Sequence, residues 1–100
     1  MNKPQTISKK ENVMNRTLYP AEVQRAIFNQ LITYETLLED GYSMDISRPS
    51  SWEFWVYVYP KGYPMESHSE MFPSRKYTTA KELDEDISRW WKSIPKEWKR

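Results

Sequence analysis

Residues Trp52 to Pro60, WEFWVYVYP, set the tightest limit on what this chain can fold into. The stretch reads as a β-strand, and a strand alternates its side chains. Trp52, Phe54, Val56 and Val58 therefore point one way, while Glu53, Trp55, Tyr57 and Tyr59 point the other. The first set is the core face of a sheet. The second is rich in aromatics yet bears a carboxylate, so it must rest against another part of the chain or serve as a surface for a partner. A chain of 100 residues has material for one modest core. With 38% hydrophobic and 15% aromatic residues, that core has to be aromatic-heavy.

The rest of the chain supplies the partners of this strand. Tyr19-Pro20 opens a helix, because proline suits the first helical position and pushes its predecessor into extended backbone. Val23, Ile27, Leu31, Tyr34 and Leu38 form one apolar stripe, which Phe28 and Leu37 widen, and Gly41 is the expected stop after a helix from Pro20 to Asp40. Tyr42, Met44 and Ile46 alternate with Ser43, Asp45 and Ser47 as in a half-buried strand, and RPSS (48–51) reads as the turn that follows. Beyond Pro60 and the Lys61-Gly62 turn, Pro64 and Pro73 bracket eight residues that read as a third, edge strand. Thr79-Ala80-Lys81-Glu82 is a capping box for a last helix, with Leu83, Ile87, Trp90 or Trp91, and Ile94 as its buried stripe before Pro95.

The predicted fold is α+β, in the order helix-strand-strand-strand-helix: a two-layer sandwich with a small antiparallel sheet of about three strands and two helices packed on one face. The expected organisation is a mobile basic tail over 1–16, a single α+β domain over 17–95 and a basic C-terminal tail over 96–100. The element order is similar to that of the double-stranded-RNA-binding fold. That family's second helix opens with basic residues, whereas this one opens with Glu82, Asp84, Glu85 and Asp86, so the similarity is of topology and implies no activity.

Charge divides along the same lines. Residues 1–16 carry four Lys/Arg and one Glu, residues 17–88 carry six against twelve acids, and residues 89–100 carry five against one. An acidic body between basic ends is the result. No long apolar run follows the basic N-terminus, so neither a signal peptide nor a membrane span is expected, and the protein reads as cytoplasmic. Cysteine is absent, which removes disulfides and Cys-ligated metals.

Chemistry finds little to use. The single histidine lies in ESHSE, where Glu66, His68 and Glu70 would share one face of an extended segment, but charged residues also decorate edge strands to deter aggregation, and no metal is assigned. There is no thiol, no nucleophile elbow and no second histidine, and two glycines in the whole chain make no phosphate-cradling loop. The reading is of a non-enzymatic protein without a cofactor.

The second aromatic face is the remaining candidate. Trp55, Tyr57 and Tyr59 are interface-type side chains, with Glu53, Arg75 and Lys76 as a polar rim. Three accounts compete for it: cover within the monomer by the N-terminal segment, by Trp98 in PKEWKR or by sheet twist; a protein interface, with another protein or with itself as a homodimer; or a platform on which single-stranded nucleic-acid bases stack, helped by the basic tails. The leading expectation is a small protein-interaction module, an adaptor or a stoichiometric inhibitor of the kind phages and mobile elements use in counter-defence. Nucleic-acid binding is the alternative, and no membrane partner is expected.

Overall fold

The strand that dominates the sequence is the middle one of three. The computed structural model describes residues 15–100. In chain order they form α1 (Pro20–Glu35), β1 (Tyr42–Ser50), β2 (Glu53–Pro60), β3 (His68–Pro73) and α2 (Ala80–Ser93). The sheet is antiparallel with order β1-β2-β3, so both neighbours of β2 are edge strands. This is the expected helix-strand-strand-strand-helix arrangement, including the third strand between the two prolines.

Register fixes which residues share a face. Met44 pairs with Val58 and Ile46 with Val56, while on the other side Phe72 pairs with Phe54. Phe54, Val56 and Val58 are fully buried beneath Val23, Ile27 and Leu31 of α1 and Leu83, Ile87 and Trp90 of α2. Both helices therefore lie on the Phe54 side. Burying a side chain of this size contributes about 1.5–3 kcal/mol, so this one face carries most of what holds the two layers together. Between the helices, Tyr34 stacks on Trp91 at 4.8 Å and meets Trp90 edge-on at 6.4 Å. Of the adjacent tryptophans, Trp90 is buried and Trp91 half-buried, as a separation of about 100° on a helix requires.

Local chemistry explains the ends of the helices. At α2, Thr79 Oγ1 accepts from the Glu82 amide at 3.3 Å, and the Glu82 carboxylate accepts from the amides of Thr79 and Thr78 at 3.2 and 2.8 Å. Those donors hold the Glu82 carboxyl below its ordinary value, Thr78 first. At α1, proline occupies the first turn and the Tyr19 amide donates to Glu22 at 2.9 Å. Glu22 is likewise held low, first by its bond to Arg16 and then by that amide.

Four details depart from the sequence reading. First, α1 ends at Glu35 rather than Asp40. Thr33 and Thr36 turn their hydroxyls back onto the carbonyls of Asn29 and Thr33, and the amides of Thr36, Leu37 and Leu38 bond three residues back, which tightens the last turn. The chain then swings so that Leu38 enters the core while Leu37, like Phe28, stays exposed instead of widening the stripe. Gly41, at φ +99°, serves the turn into β1.

Second, RPSS is not a turn. β1 continues to Ser50, with Arg48 and Pro49 bulged opposite Phe54 between the Ser47–Trp55 and Ser50–Glu53 pairs. A proline has no amide to contribute, so a bulge on an edge strand is where a sheet tolerates it. Third, Trp52 lies in the tight turn before β2 rather than on the strand, and Arg75 sits over its ring at 5.1 Å.

The fourth concerns the C-terminus. Residues 96–100, expected as a tail, are tied to the loop after α1. Lys96–Trp98 form a 3-10 turn, Leu38 bridges to Lys99, the Glu39 amide donates to the Trp98 carbonyl at 2.9 Å and the Arg100 amide to the Leu37 carbonyl at 2.7 Å. Arg100 adds a bond from Nε to the Leu38 carbonyl at 2.7 Å. The Leu37 and Leu38 carbonyls, which lie beyond the end of α1 and lack a helical partner, are thus satisfied by the end of the chain. Of the tail expected over 1–16, residues 1–14 lie outside the described residues, and Arg16 pairs with Glu22 at 3.1 Å.

Candidate functional site

The cross-strand register also defines the outer face of the sheet. Glu53, Trp55, Tyr57 and Tyr59 come from β2. Ser43, Asp45 and Ser47 of β1 stand opposite Tyr59, Tyr57 and Trp55, and Ser69 and Met71 of β3 stand opposite Tyr57 and Trp55. The result is an aromatic ridge along the middle strand with small or flexible side chains beside it. Trp55, Tyr57 and Tyr59 are half-buried. Among the described residues, neighbours on the same face supply that cover, because both helices pack on the other side.

Polar bonds hold the ridge in place. Trp55 Nε1 donates to Glu53 Oε1 at 3.1 Å, Ser50 Oγ donates to Glu53 Oε2 at 3.0 Å, and Tyr59 OH donates to Asp45 Oδ2 at 2.7 Å. The bond to Asp45 pushes the Tyr59 phenol above its ordinary value. The rings of Trp55 and Tyr57 lie 6.4 Å apart and within 13° of parallel. The polar tips of Trp55 and Tyr59 are thus satisfied by carboxylates on the same face, while the ring surfaces have no such partner to orient them inward.

Of the residues predicted for this surface, Glu53, Trp55, Tyr57 and Tyr59 are brought together. Arg75 and Lys76 are not. Arg75 covers Trp52 at the turn, and Lys76 bonds Asp86 at 2.7 Å on the helix side of the molecule. The short 3-10 turn Ser74–Lys76 that follows β3 carries the chain away from the sheet and toward α2, which is why two residues close in sequence to the edge strand do not frame its outer face. Asp45 and Met71 do share the face, and sequence reasoning did not select them. The alternation of β1 put Asp45 on the polar side, but only pairing shows that it stands beside Tyr57.

Cover from the C-terminus goes to the other face. Trp98 stacks on Tyr42 at 4.9 Å and receives His68 edge-on at 5.0 Å, and these two residues share the side of Val58. The ESHSE segment is divided by secondary structure: Glu66 closes a 3-10 turn, while His68 and Glu70 lie on β3. Among the described residues no helix is long and apolar enough to cross a membrane.

Concave features lie elsewhere. A cleft of about 420 Å³ opens beside Leu18, Trp52 and Arg75, and one of about 240 Å³ lies between Glu70 of β3 and Asp86 of α2. In the second, Asp86 accepts from Lys76, Tyr77 and Arg89. Burial works against its charge, but those three donors outweigh burial and hold its carboxyl below the ordinary value. The Tyr77 phenol is pushed well up, by burial first and by Asp86 second. Trp90 Nε1, which also lines this cleft, is buried without a hydrogen-bond partner among the described residues.

An aromatic ridge on an open sheet face suits contact with a macromolecule, which buries area, rather than enclosure of a small molecule. Compared with known proteins, the chain matches no family model, no curated protein and no solved structure.

Proposed function

We propose that this protein is a small non-catalytic interaction module, an adaptor or stoichiometric inhibitor, that binds another protein through the outer face of its sheet. The observation that carries the reading is the division of β2 between two environments. Phe54, Val56 and Val58 lie beneath two helices, and Trp98 extends that cover past Val58, while among the described residues Trp55, Tyr57 and Tyr59 on the opposite side have only their sheet neighbours. Tyrosine and tryptophan anchor interfaces because they bury much area for little rotamer entropy. Bonds to Glu53 and Asp45 fix the Trp55 and Tyr59 side chains in advance, which lowers the cost of ordering them on binding.

The variant Trp55→Ser/Tyr57→Ser tests this reading. It should melt within a few degrees of the wild type and lose proteins that the wild type captures from a host lysate. A collapse of stability would make the face internal core. Unchanged capture by a folded variant would place the binding surface elsewhere.

A further inference from the structure

From the charges on this face, we infer that its partner is a cationic protein segment bearing arginine, received along the Trp55–Tyr57 pair between two carboxylates. The inference rests on the reading of the outer face as a partner-binding surface.

The residues that the three strands place on the face include two that ionise at neutral pH, Asp45 and Glu53, and no lysine or arginine. Among the cations near in sequence, Lys61 lies exposed in the turn beyond the Tyr59 end of β2, away from the Trp55–Glu53 end, and the others are engaged elsewhere. The Arg48 guanidinium lies over the Phe54 ring at 4.4 Å on the inner side and bonds Gln24, Arg75 covers Trp52, and Lys76 pairs with Asp86. At the C-terminus, Lys99 donates to the Trp91 carbonyl and Arg100 is held by Leu38 and Asp40. Aromatic rings framed by negative charge are the complement of a guanidinium, which stacks on a π face while its edge donates to carboxylates.

The same charges argue against the other occupants. Phosphates would meet carboxylates of their own sign with no cation among the described residues of the face to neutralise them, contrary to what single-strand binding requires. A second copy packed face to face, with sheets about 10 Å apart, would bring four carboxylates together and no compensating cation. Spacing adds a geometric term. Asp45 is level with Tyr57 and Glu53 stands four residues earlier on β2, a separation of about 13 Å along the strand. Two arginines four residues apart in an extended segment span the same distance.

The test uses an otherwise uncharged synthetic peptide with two arginines four residues apart, titrated into the full chain while the Trp55 indole N–H is followed by NMR. Controls are the same peptide with glutamates, an oligothymidylate, and dilution of the protein alone. The key variant is Asp45→Asn/Glu53→Gln, because both amides keep an oxygen that accepts from Tyr59 and Trp55 while losing the charge.

The arginine peptide should move the Trp55 signal, and the double amide variant should weaken its binding about tenfold, the sum of two exposed ion pairs. Asp84→Asn/Glu85→Gln, a charge loss on α2, should leave it unchanged. Equal response to the glutamate peptide or the oligothymidylate, an unweakened amide variant, or a Trp55 signal that moves on dilution alone would each overturn the inference. In those cases the interface reading survives if Trp55→Ser/Tyr57→Ser still loses its captured protein, and fails with the inference if it does not.

Discussion

The two faces of β2 are built from adjacent residues and differ in almost every physical respect. On the inner face, Phe54, Val56 and Val58 are sealed by α1 and α2, and even an irregular spot in β1 is turned to use, since the bulged Arg48 closes over the Phe54 ring. On the outer face, Trp55, Tyr57 and Tyr59 are larger and more polar, and the Trp55 indole and the Tyr59 hydroxyl are tied to carboxylates of the same face rather than to the helices. The contrast teaches that aromatic content alone does not mark core. What separates the faces is whether polar tips are oriented toward a wet rim or hidden, and where the helices can reach.

The comparison can be broken by substitution. The largest effect is expected at Phe54→Ala. Removing a fully buried ring from the middle of the inner face should cost about 3–5 kcal/mol in chemical denaturation. A loss below about 1 kcal/mol would mean that the inner face is not the core that the packing describes.

Trp98→Ala comes next. Its ring extends the inner cover past the end of the helices, between Tyr42 and His68, but it is only half-buried, so about 2 kcal/mol is expected. The loss should be accompanied by faster amide exchange at Glu39, whose donor bond ends on the Trp98 carbonyl. Unaltered exchange there would show that the end of the chain is not held as described.

Asp86 gives the smallest effect on stability and the sharpest signature. Its carboxyl is held below the ordinary value by Lys76, Tyr77 and Arg89, so the unfolded chain binds a proton at this position more readily than the folded one. The stabilisation is complete above the ordinary aspartate value of about 4 and is lost as the pH falls through the lower folded value. Asp86→Asn should therefore cost about 1 kcal/mol near neutral pH and flatten the acid limb of a melting-temperature profile. An acid limb as steep as that of the wild type would assign the pH dependence to other carboxylates.

Much of this architecture was legible in the sequence, and the reasons are local. The alternation of β2, the capping box at Thr79 and the two prolines around β3 each name an element through short-range chemistry, and all three elements are present. The end of α1 was not legible, because Thr33 and Thr36 permit a helix as well as the tightened turn. What decides between them is Leu38 and the carbonyl partners supplied by residues about sixty positions later. The tail at 96–100 was misjudged for the same reason: its charge describes solvation, while its docking depends on backbone groups left free by α1. Within the candidate site, the β2 residues followed from period two alone. The rim did not, since it takes register to bring Asp45 to Tyr57 and a 3-10 turn to carry Lys76 away.

The central claim is that Trp55 belongs to a surface and Trp90 to a core, and a soluble paramagnetic gadolinium chelate distinguishes them directly. The chain has five tryptophans, whose indole N–H signals can be assigned by single substitutions. At concentrations where the protein is monomeric, the Trp55 signal should broaden strongly as the chelate is added, while the buried Trp90 signal stays sharp. A Trp55 signal as protected as that of Trp90 would contradict the account, because the outer face would then be covered within the chain itself.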